Sequence, residues 1–485
     1  MSQNKKILLV HPLGENWLRG ERDMSHIVNI VPPLGLLSLA AWFERHGHQA
    51  DVHDCYALAG QDERICKYLE EINPDFIGFS TTTSSFLDGI RLAKMARAVK
   101  PSIKVVFGGV HMSALREQLL RDYPVIDYGV VGEGEETLRE LMESEGRGLK
   151  GIEGLIFREQ KEIIFTGHRK KLLDMDSLPF PAYEKLEGFP DRYLLPIFSY
   201  PKAPNATIIT SRGCPYTCSY CDRSVFRRTY RYNSPEYMVK YLSFLKRRFN
   251  IKHVNIYDDT FTLKRDRVME FCELKIKSGL GKITFNCAAR TEQLDAGMLK
   301  LMKKAGCWMI SLGIETGDPE LLKRHRSYLP NHTLEKPLEN IREMVFMIKK
   351  AGIRVKGLFM LGLPGETEES IKKSMDYVLS LPLDEFNLTK LTPFPGAPMY
   401  CDIREHGSFD ETWAEMNALN FVFVPTGFTK DRMEECHREF YRRYFSRAKT
   451  LLNYAQMIWK SPDSWRRFWL NLPTFLRFTK GHNKK

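Results

Sequence analysis

The sequence predicts an α/β protein built from a Rossmann-like domain, a partial (β/α)6 barrel of the TIM type, and a small helical C-terminal region. Three observations support this prediction. The chain has 485 residues, more than a single hydrophobic core usually organises. Short apolar runs alternate with segments of helical periodicity in two separate blocks. After Pro398 the pattern becomes helical only. The predicted parts are residues 1–150, 151–205, 206–400 and 401–485.

Five apolar runs in the first block predict parallel strands. They are KILLVH, QADVHD, DFIGFST, KVVFGG and YGVVGEGE, between Lys6 and Glu145. The stretches between them carry Leu and Ala at helical spacing, as the crossover helices of a parallel sheet do. We therefore expect a Rossmann-like sheet with helices on its faces.

Segment 151–205 breaks this rhythm. The runs GLIF and EIIF predict a β-hairpin. Prolines at positions 179, 181, 190, 196, 201 and 204 then disfavour regular structure and predict an extended linker. We expect a boundary between two domains here.

The second block predicts six further β/α units. Its apolar runs are ATIITS, HVNIYDD, TFNCAAR, WMISLGIE, RVKGLFMLG and EFNLTKL, each followed by a helical segment or a turn. Six units are too few for a closed eight-stranded barrel but fit a partial one, whose functional groups lie at the carboxyl ends of the strands.

The composition excludes several classes of protein. With 43% hydrophobic and 27% charged residues, the chain is neither disordered nor collagen-like. Its first residues do not resemble a secretory signal, and the sequence has no apolar run long enough to span a membrane. We expect a cytoplasmic protein whose ten cysteines are reduced, so that a cysteine cluster indicates a metal site.

Three cysteines are clustered directly after the first strand of the second block. The segment SRGCPYTCSYCDR contains Cys214, Cys218 and Cys221 in a C-x3-C-x2-C arrangement. Three thiolates on one loop can hold three irons of a cubane iron–sulfur cluster and leave the fourth iron open to a chelating ligand. The alternatives are a zinc site completed by a distant His or Cys, or three unrelated thiols.

This motif, with an aromatic residue before the third cysteine, resembles that of the radical S-adenosylmethionine (SAM) superfamily. The resemblance implies a 4Fe–4S cluster on the three cysteines, with SAM chelating the open iron. It also implies one-electron cleavage of SAM to methionine and a 5′-deoxyadenosyl radical, which abstracts hydrogen from a substrate. The residues that the resemblance assigns to SAM binding are Tyr220, Asp258, Asp259, Arg290, Glu315, Gly362 and Pro364.

The chemistry of these residues suits that ligand, although each also has a simpler interpretation. Carboxylates pair with an ammonium group or ribose hydroxyls, and an arginine pairs with a carboxylate. Alternatively, Asp258 could cap a helix, Glu315 could pair with a barrel lysine, and the Gly-Pro cluster could form only a turn. The GGE-type triplet common in the superfamily is absent.

Glycine-rich turns predict a ligand site in the first domain. GGVH at 108–111, GEGEE at 132–136 and the polar run 80–85 each follow a predicted strand, where open α/β sheets bind ligands. Neither turn is a GxGxxG fingerprint, and the two glutamates at 133 and 135 argue against a phosphate site. The alternative is a helper domain with ordinary tight turns.

The early helix PPLGLLSLAA, the polar run and the glycine-rich turns all precede the predicted radical SAM barrel. This combination is similar to that of the cobalamin-binding radical SAM family, over residues 5–400. The resemblance implies cobalamin held over the barrel mouth. The D-x-H-x-x-G motif that supplies a cobalt-ligating histidine elsewhere is not intact, because DVHDCY ends in Tyr56, and we interpret His53 as structural. The residues expected to contact cobalamin are Ser80, Thr81, Thr82, Gly108, Gly109, His111, Gly132, Glu133, Gly134 and Glu135.

This pair of cofactors predicts a methyltransferase in which a carbon activated by the adenosyl radical accepts methyl from methylcobalamin. A cobalamin-dependent oxidative cyclase or ring-rearranging enzyme would use the same cofactors and is the main alternative. A methylthiotransferase is disfavoured because only Cys55 and Cys66 precede the motif. A metal-stabilised RNA-binding scaffold is a remote alternative. The expected partners are a small-molecule or lipid-like substrate and a one-electron reductant such as flavodoxin or ferredoxin, and no nucleic acid is expected.

The positive charge of the chain is concentrated at its end. The formal net charge is +12, and residues 436–485 contain 12 Lys or Arg, 2 Asp or Glu and 11 aromatic residues. Basic amphipathic segments with tryptophans are typical of anionic membrane surfaces, so the tail predicts peripheral membrane contact. The alternative is a set of helices that pack on the barrel with their arginines in solvent.

Overall fold

The computed structural model describes residues 4–14, 30–57, 61–329 and 335–473. Within these residues seven strands form a first sheet: β1 Lys6–His11, β2 Gln49–Asp54, β3 Phe76–Ser80, β4 Lys104–Gly108, β5 Tyr128–Val130, β6 Leu155–Glu159 and β7 Glu162–Phe165. Their spatial order is β2-β1-β3-β4-β5-β6-β7, and β1 to β5 are parallel. The first four strands are buried along most of their length, as expected for a sheet covered by helices on both faces.

The crossover helices of this sheet follow the predicted segments. They are α1 Leu34–Arg45, α2 Gln61–Ile72, α3 Phe86–Val99, α4 Val110–Leu115, α5 Glu117–Asp122 and α6 Glu135–Glu143. α1 buries Leu34, Leu37 and Ala40, which lie at i, i+3 and i+6 on one face. The predicted Rossmann-like architecture is therefore confirmed.

The predicted hairpin is present and extends the first sheet. β6 pairs antiparallel with both β5 and β7. The sheet thus continues past residue 150, where we ended the first domain. The division of the chain into domains stays a prediction, because sheet membership alone does not decide which segments fold as one unit. Residues 166–204 contain two 3-10 turns, Met175–Ser177 and Tyr183–Lys185, and no strand of the described chain.

Six parallel strands of the described chain form the second sheet, a half-barrel: β8 Asn205–Ile208, β11 His253–Ile256, β12 Thr284–Ala289, β13 Cys307–Glu315, β14 Arg354–Leu361 and β15 Glu385–Lys390. Each lies beside the next in this order. A two-stranded ribbon, β9 Ser211–Arg212 and β10 Arg231–Tyr232, follows β8. The six predicted units are confirmed.

The helices of the half-barrel are α7 Pro235–Phe249, α8 Arg265–Lys277, α9 Ala296–Lys304, α10 Pro319–His325, α11 Pro337–Lys350 and α12 Glu368–Ser380. Their starts show the expected capping chemistry. The Ser234 hydroxyl accepts a hydrogen bond from the Tyr237 amide ahead of a proline at the first helical position. Thr367 and Ser370 form a reciprocal capping box at α12.

In the described part of the C-terminal region, the α-helices begin only at Lys430. A short antiparallel pair, β16 Gly407–Phe409 and β17 Phe423–Pro425, precedes the helices α13 Lys430–Phe445, α14 Ala448–Ala455, α15 Met457–Lys460 and α16 Pro462–Leu470. Our expectation of helix throughout this region was therefore wrong for 407–425. Phe423 is buried with Leu363 and Leu391 of the barrel loops, and this packing selects the strand conformation.

The last helices cover the amino-terminal end of the barrel strands. Arg354, the first residue of β14, contacts the sulfur of Met457 at 3.1 Å. The Ser464 hydroxyl accepts a hydrogen bond from the Phe198 amide in the linker that leads into β8. No helix of the described chain is long and apolar enough to cross a membrane.

One apolar core joins the two sheets. Leu37 of α1, Tyr183 of the linker, Ile208 of β8 and Tyr241 of α7 belong to the same buried cluster. The Tyr183 hydroxyl donates to the Thr207 carbonyl oxygen at 2.7 Å and lies 2.6 Å from the Tyr241 hydroxyl. The carboxyl ends of both sets of strands are thereby held in a fixed relation, and the site described next lies between them.

Candidate active site

The three clustered cysteines lie on the loop between β9 and β10, at the carboxyl end of β8. Gly213 has a φ of +86°, and a Cβ at this position would meet the Thr229 carbonyl oxygen at 2.2 Å, so this tight turn requires glycine. Cys218 is buried, Cys214 is half-buried and Cys221 is exposed. Although Cys221 reaches solvent, partial desolvation by the surrounding protein and the charges of the other two thiols raise its pKa to about 12.

The sulfur of Cys218 is surrounded by hydrogen-bond donors. The Ser327 amide lies 3.4 Å from it and the Arg290 guanidinium 3.6 Å. Burial acts to raise the pKa of Cys218, but Arg290 and Ser327 outweigh it and lower the pKa below its usual value. These donors favour a thiolate, the form that binds metal.

The donor set fits a cubane cluster in the number and chemistry of its ligands. In a cubane each thiolate binds a different iron, and the fourth iron stays open to another ligand. Three thiols on one loop match the three corners that such a cluster requires.

Arg290 belongs to a buried charge network beside Cys218. Its guanidinium donates to Glu292 at 2.5 Å and to the Ser327 carbonyl oxygen at 2.6 Å, and it stacks 3.7 Å over the ring of Tyr216. Arg326 donates to the other carboxylate oxygen of Glu292 at 3.1 Å. Arg290 thus lies beside the cysteine loop, as the resemblance implied for a residue near SAM. Its hydrogen-bond and stacking partners, however, are other residues of the protein.

His325 connects the cysteine loop to the turn after β14. Its Nδ1 lies 2.9 Å from the Ser219 hydroxyl, and its Nε2 lies 2.8 Å from the Pro364 carbonyl oxygen. In that turn Gly362 has a φ of +99°, and its amide donates to the Glu366 carboxylate. Burial raises the pKa of Glu366 to about 8. Gly362 and Pro364 therefore lie beside the cysteine loop.

Glu315 and Tyr220 meet at the end of β13. Glu315 has a φ of +69°, a left-handed conformation that is strained for a residue with a side chain and is common at functional sites. Burial raises the pKa of Glu315, against the opposing effects of Arg326 and of a hydrogen bond from Tyr220. Tyr220 directly precedes Cys221, so its contact with Glu315 places this carboxylate beside the cysteine loop.

Asp258 and Asp259 are placed differently from each other. The buried Asp258 carboxylate accepts hydrogen bonds from the Thr210 amide at 2.6 Å and from the Thr210 and Ser211 hydroxyls at 2.7 Å each. Its oxygens are therefore used to fix the chain that leads into the cysteine loop. Asp259 reaches solvent but is partly desolvated by the surrounding protein, and this desolvation and the charge of Asp258 raise its pKa. Of the two carboxylates, Asp259 is the one open to a ligand.

A half-open cavity of about 220 Å³ lies between the carboxyl end of the first sheet and the barrel. Its walls are mainly aliphatic and aromatic. The predicted residues that line it are Ser80, Gly108, Gly109, Gly132, Glu133, Gly134 and Glu135. The opposite wall comes from α1, the linker, the cysteine loop and α7, through residues such as Ser38, Leu39, Arg212, Val225, Phe226 and Tyr241.

Three residues expected to contact cobalamin lie outside this cavity wall. Thr81 is buried, and its amide donates to the Gly108 carbonyl oxygen, while the Thr82 amide donates to the Ser85 hydroxyl at the start of α3. His111 is fully buried, 3.2 Å from the Thr83 hydroxyl. The Thr81 and His111 side chains support the cavity wall from behind, whereas Thr82 is exposed. His53, interpreted as structural, is buried in β2 and packs edge-on to Tyr68.

Sequence reasoning missed several residues of this site. Glu292, His325, Arg326, Ser327 and Glu366 all hold the cysteine loop or the adjacent turns. They form no local motif with the cysteines, because they follow three later strands of the half-barrel, β12, β13 and β14, whose carboxyl ends lie at the same edge of the sheet as that of β8. The one signal in the sequence, and a weak one, is the polar run His325, Arg326 and Ser327 at the end of α10.

Two family models match the chain. Residues 208–378 match the model of the radical SAM superfamily, and residues 23–142 match that of the B12 binding domain. The chain is 30% identical to an uncharacterized methyltransferase of Pyrococcus horikoshii, over 92% of this chain and 94% of that protein. It is 27% identical to an anaerobic magnesium-protoporphyrin IX monomethyl ester cyclase of Cereibacter sphaeroides, over 97% of this chain and 75% of that protein.

The fold is shared with a solved structure. The radical SAM methyltransferase TsrM of Kitasatospora setae, with cobalamin and a 4Fe–4S cluster bound, matches with a TM-score of 0.67. The match covers 83% of this chain and 75% of that one at 21% sequence identity. At this identity the likeness establishes the arrangement of the two sheets.

Proposed function

This chain belongs to the cobalamin-binding radical SAM family, and we propose that it methylates an unactivated carbon of a hydrophobic or natural-product substrate. The observation that carries the proposal is the position of the cysteine loop. Its flanking residues Arg212, Val225 and Phe226 form one wall of the cavity whose other wall is the glycine-rich edge of the first sheet. Two cofactor sites therefore adjoin at one junction.

We assign the 4Fe–4S cluster to Cys214, Cys218 and Cys221, and the SAM site to the pocket around them. When bound, the cluster supplies the electron that cleaves SAM, and cobalamin supplies the methyl group. Asp259 is the exposed carboxylate available to an ammonium or hydroxyl group. Tyr220 lies in this loop, and Glu315, Gly362 and Pro364 lie beside it. Arg290 and Asp258 act through the loop itself, since their polar atoms bind protein groups.

We place part of cobalamin, its nucleotide arm, in the cavity of the first domain. The mainly aliphatic and aromatic walls of the cavity suit a flat heteroaromatic group. Gly109 has a φ of +93°, and a Cβ there would meet the Thr81 carbonyl oxygen at 2.7 Å, so the wall is backbone at this point.

Reconstituted protein tests this assignment. With cobalamin, methyl-deuterated SAM and a strong reductant under anaerobic conditions, we expect 5′-deoxyadenosine, and deuteromethyl transfer to the correct substrate. Cys218→Ala should reduce 5′-deoxyadenosine to background, because the cluster loses a ligand, whereas Cys401→Ala, an exposed cysteine outside the loop, should leave it unchanged.

Two results would contradict the proposal. A wild-type protein that binds neither cofactor, or that forms no 5′-deoxyadenosine when loaded with both, excludes radical SAM chemistry. Formation of 5′-deoxyadenosine with an oxidised, unlabelled product would instead favour an oxidative cyclase, the activity named for the relative from Cereibacter sphaeroides.

The proposal requires a one-electron donor. We infer a small redox protein of the flavodoxin or ferredoxin type, because Cys221 is exposed and would bring one edge of the cluster near the surface. An electron can then reach the cluster without passing through the cavity assigned to cobalamin.

We further propose that the C-terminal helices contact an anionic membrane surface. Their outer face, called the apolar tail face below, consists of side chains that are more than half exposed: Leu451, Leu452, Ile458, Trp459, Trp469 and Leu470. Lys449, Lys460 and Arg466 are exposed beside it, and Asp463 is the one acidic residue in 446–473. Exposed tryptophan and leucine flanked by positive charge suit the interface of an anionic bilayer.

A further inference from the structure

Two arginines of the barrel meet two glutamates of the first sheet beside the cavity. Arg212 donates to Glu133 at 2.5 Å and to Glu135 at 2.6 Å. Arg231 donates to the second carboxylate oxygen of Glu133. The exposed fractions of the side chains are 12% for Arg212, 22% for Arg231, 9% for Glu133 and 5% for Glu135. This network is therefore largely shielded from solvent.

Each of the four charges in this network is compensated by the others. Arg212 and Arg231 are paired opposite each other in the β9–β10 ribbon, where two like charges repel. Glu133 binds both and relieves that repulsion. Burial acts to lower the pKa of Arg212, but Glu135 and Glu133 outweigh it and raise the pKa. Removal of one partner would leave a buried charge without compensation.

The network links the two proposed cofactor sites through very short segments. Arg212 is two residues from Cys214, and the tight turn at Gly213 lies between them. On the other side Glu133 and Glu135 line the cavity, and Glu135 begins α6. The Ser38 hydroxyl of α1, another part of the cavity wall, donates to Glu135 at 3.1 Å.

We propose that Arg212 is a positioning residue that sets the separation between the iron–sulfur cluster and cobalamin. The proposal rests on the proposed function, because it assigns the cluster to the cysteine loop and cobalamin to the cavity. In this arrangement the two glutamates of the GEGE turn bind the arginines of the β9–β10 ribbon. The two glycines of that turn have no side chain, so the cofactor can approach the backbone there. A bidentate guanidinium suits this role because it fixes direction as well as distance.

The separation can be measured in the loaded protein. The reduced cluster and cob(II)alamin each carry an unpaired spin, and the dipolar coupling in pulsed electron paramagnetic resonance reports the distance between them. For the wild type we expect one narrow distance. For Arg212→Gln, with iron and cobalamin contents matched to the wild type, we expect a shifted or broadened distribution.

The control is Arg432→Gln, which removes an exposed arginine that pairs with Glu368 on the outside of the barrel. It should retain the narrow distance. An unchanged distance in loaded Arg212→Gln would overturn the proposal.

A second variant covers the case in which Arg212→Gln does not fold. Glu135→Gln keeps the size of the side chain and an oxygen for the Ser38 hydroxyl while removing the charge that faces Arg212. It should broaden the distance in the same way, and an unchanged distance would overturn the proposal equally. A wild-type protein that binds no cobalamin would give no coupling in any variant, and that result contradicts the proposed function and this inference together.

Discussion

His111 shows how a residue in a predicted ligand motif can instead support the motif from behind. It is fully buried, and its ring lies 4.5 Å from that of Trp413 and 4.6 Å from that of Phe86, measured between centroids. Burial lowers its pKa to about 3. The imidazole is therefore neutral at physiological pH, and Trp413, from the segment after the barrel, holds it against the first sheet.

This buried imidazole predicts a pH-dependent loss of stability. The pKa is about 3 in the folded chain and near 6.5 in the unfolded chain, so below pH 6.5 the unfolded chain takes up a proton that the folded chain does not. Stability is thus lost as pH falls from about 6.5 towards 3, by at most about 1.4 kcal/mol per pH unit. In urea titrations between pH 7 and 5, His111→Gln should lose less stability than the wild type.

His46→Gln, which changes an exposed histidine, serves as the control and should follow the wild type. An equal pH dependence in wild type and His111→Gln would show that the imidazole is not neutralised by burial.

At the scale of residues, the sequence located those functional residues that belong to a short motif. The three cysteines follow a strand at fixed spacing, and their loop position was predictable. Glu292 and Ser327 were not, because they act on Cys218 from distant parts of the chain. The carboxylate of Asp258 turned out to be occupied by Thr210, which neither its position nor its type could indicate.

At the scale of elements, apolar runs predicted the strands well because parallel strands are buried along their length. The pattern was less informative where an element is short. β16 and β17 have three residues each, too few to show a period. The hairpin was predicted, but its attachment to β5 was not, since pairing partners are not encoded in local periodicity. The C-terminal helices were also predicted without their docking surface.

The helices α14–α16 should contribute to the stability of the barrel. Met457, Ser461 and Ser464 are fully buried against the start of β14 and the linker before β8. A chain ending after Ser446 would lose these contacts. We expect its free energy of unfolding to fall by at least about 2 kcal/mol, the lower end of the cost of removing one buried methionine side chain.

Denaturant unfolding followed by circular dichroism measures this effect. A chain ending after Pro473, which keeps all of these helices, is the matched control and should unfold like the full chain. If both truncations have the midpoint of the full chain, the helices do not stabilise the barrel.

At the scale of the whole molecule, the apolar tail face and the candidate active site lie at opposite ends of the barrel. The cysteine loop follows the carboxyl end of β8, whereas Met457 contacts Arg354 at the amino end of β14. β14 has 8 residues, so at about 3.3 Å per residue the two ends are roughly 25 Å apart. A bilayer bound by the tail would therefore not cover the barrel mouth, and the substrate would enter from the aqueous side.

Binding to vesicles tests the proposed membrane contact. Substitutions are preferable to truncation, because the inner face of the same helices is part of the barrel. We expect the full chain to sediment with vesicles that contain anionic lipid. The double variant Trp459→Ser, Trp469→Ser should lose most of this binding, because both side chains are more than half exposed and tryptophan favours the bilayer interface.

Leu419→Ser is the matched control, since Leu419 is 58% exposed beside the carboxyl end of β15, at the end of the barrel opposite the tail. It should bind like the wild type. Because positive charge accompanies the apolar tail face, binding should also weaken in high salt and on neutral vesicles, as screening and loss of anionic headgroups both remove the electrostatic attraction. Sedimentation of the double variant equal to that of the wild type would assign this face to another role, such as contact with a second protein.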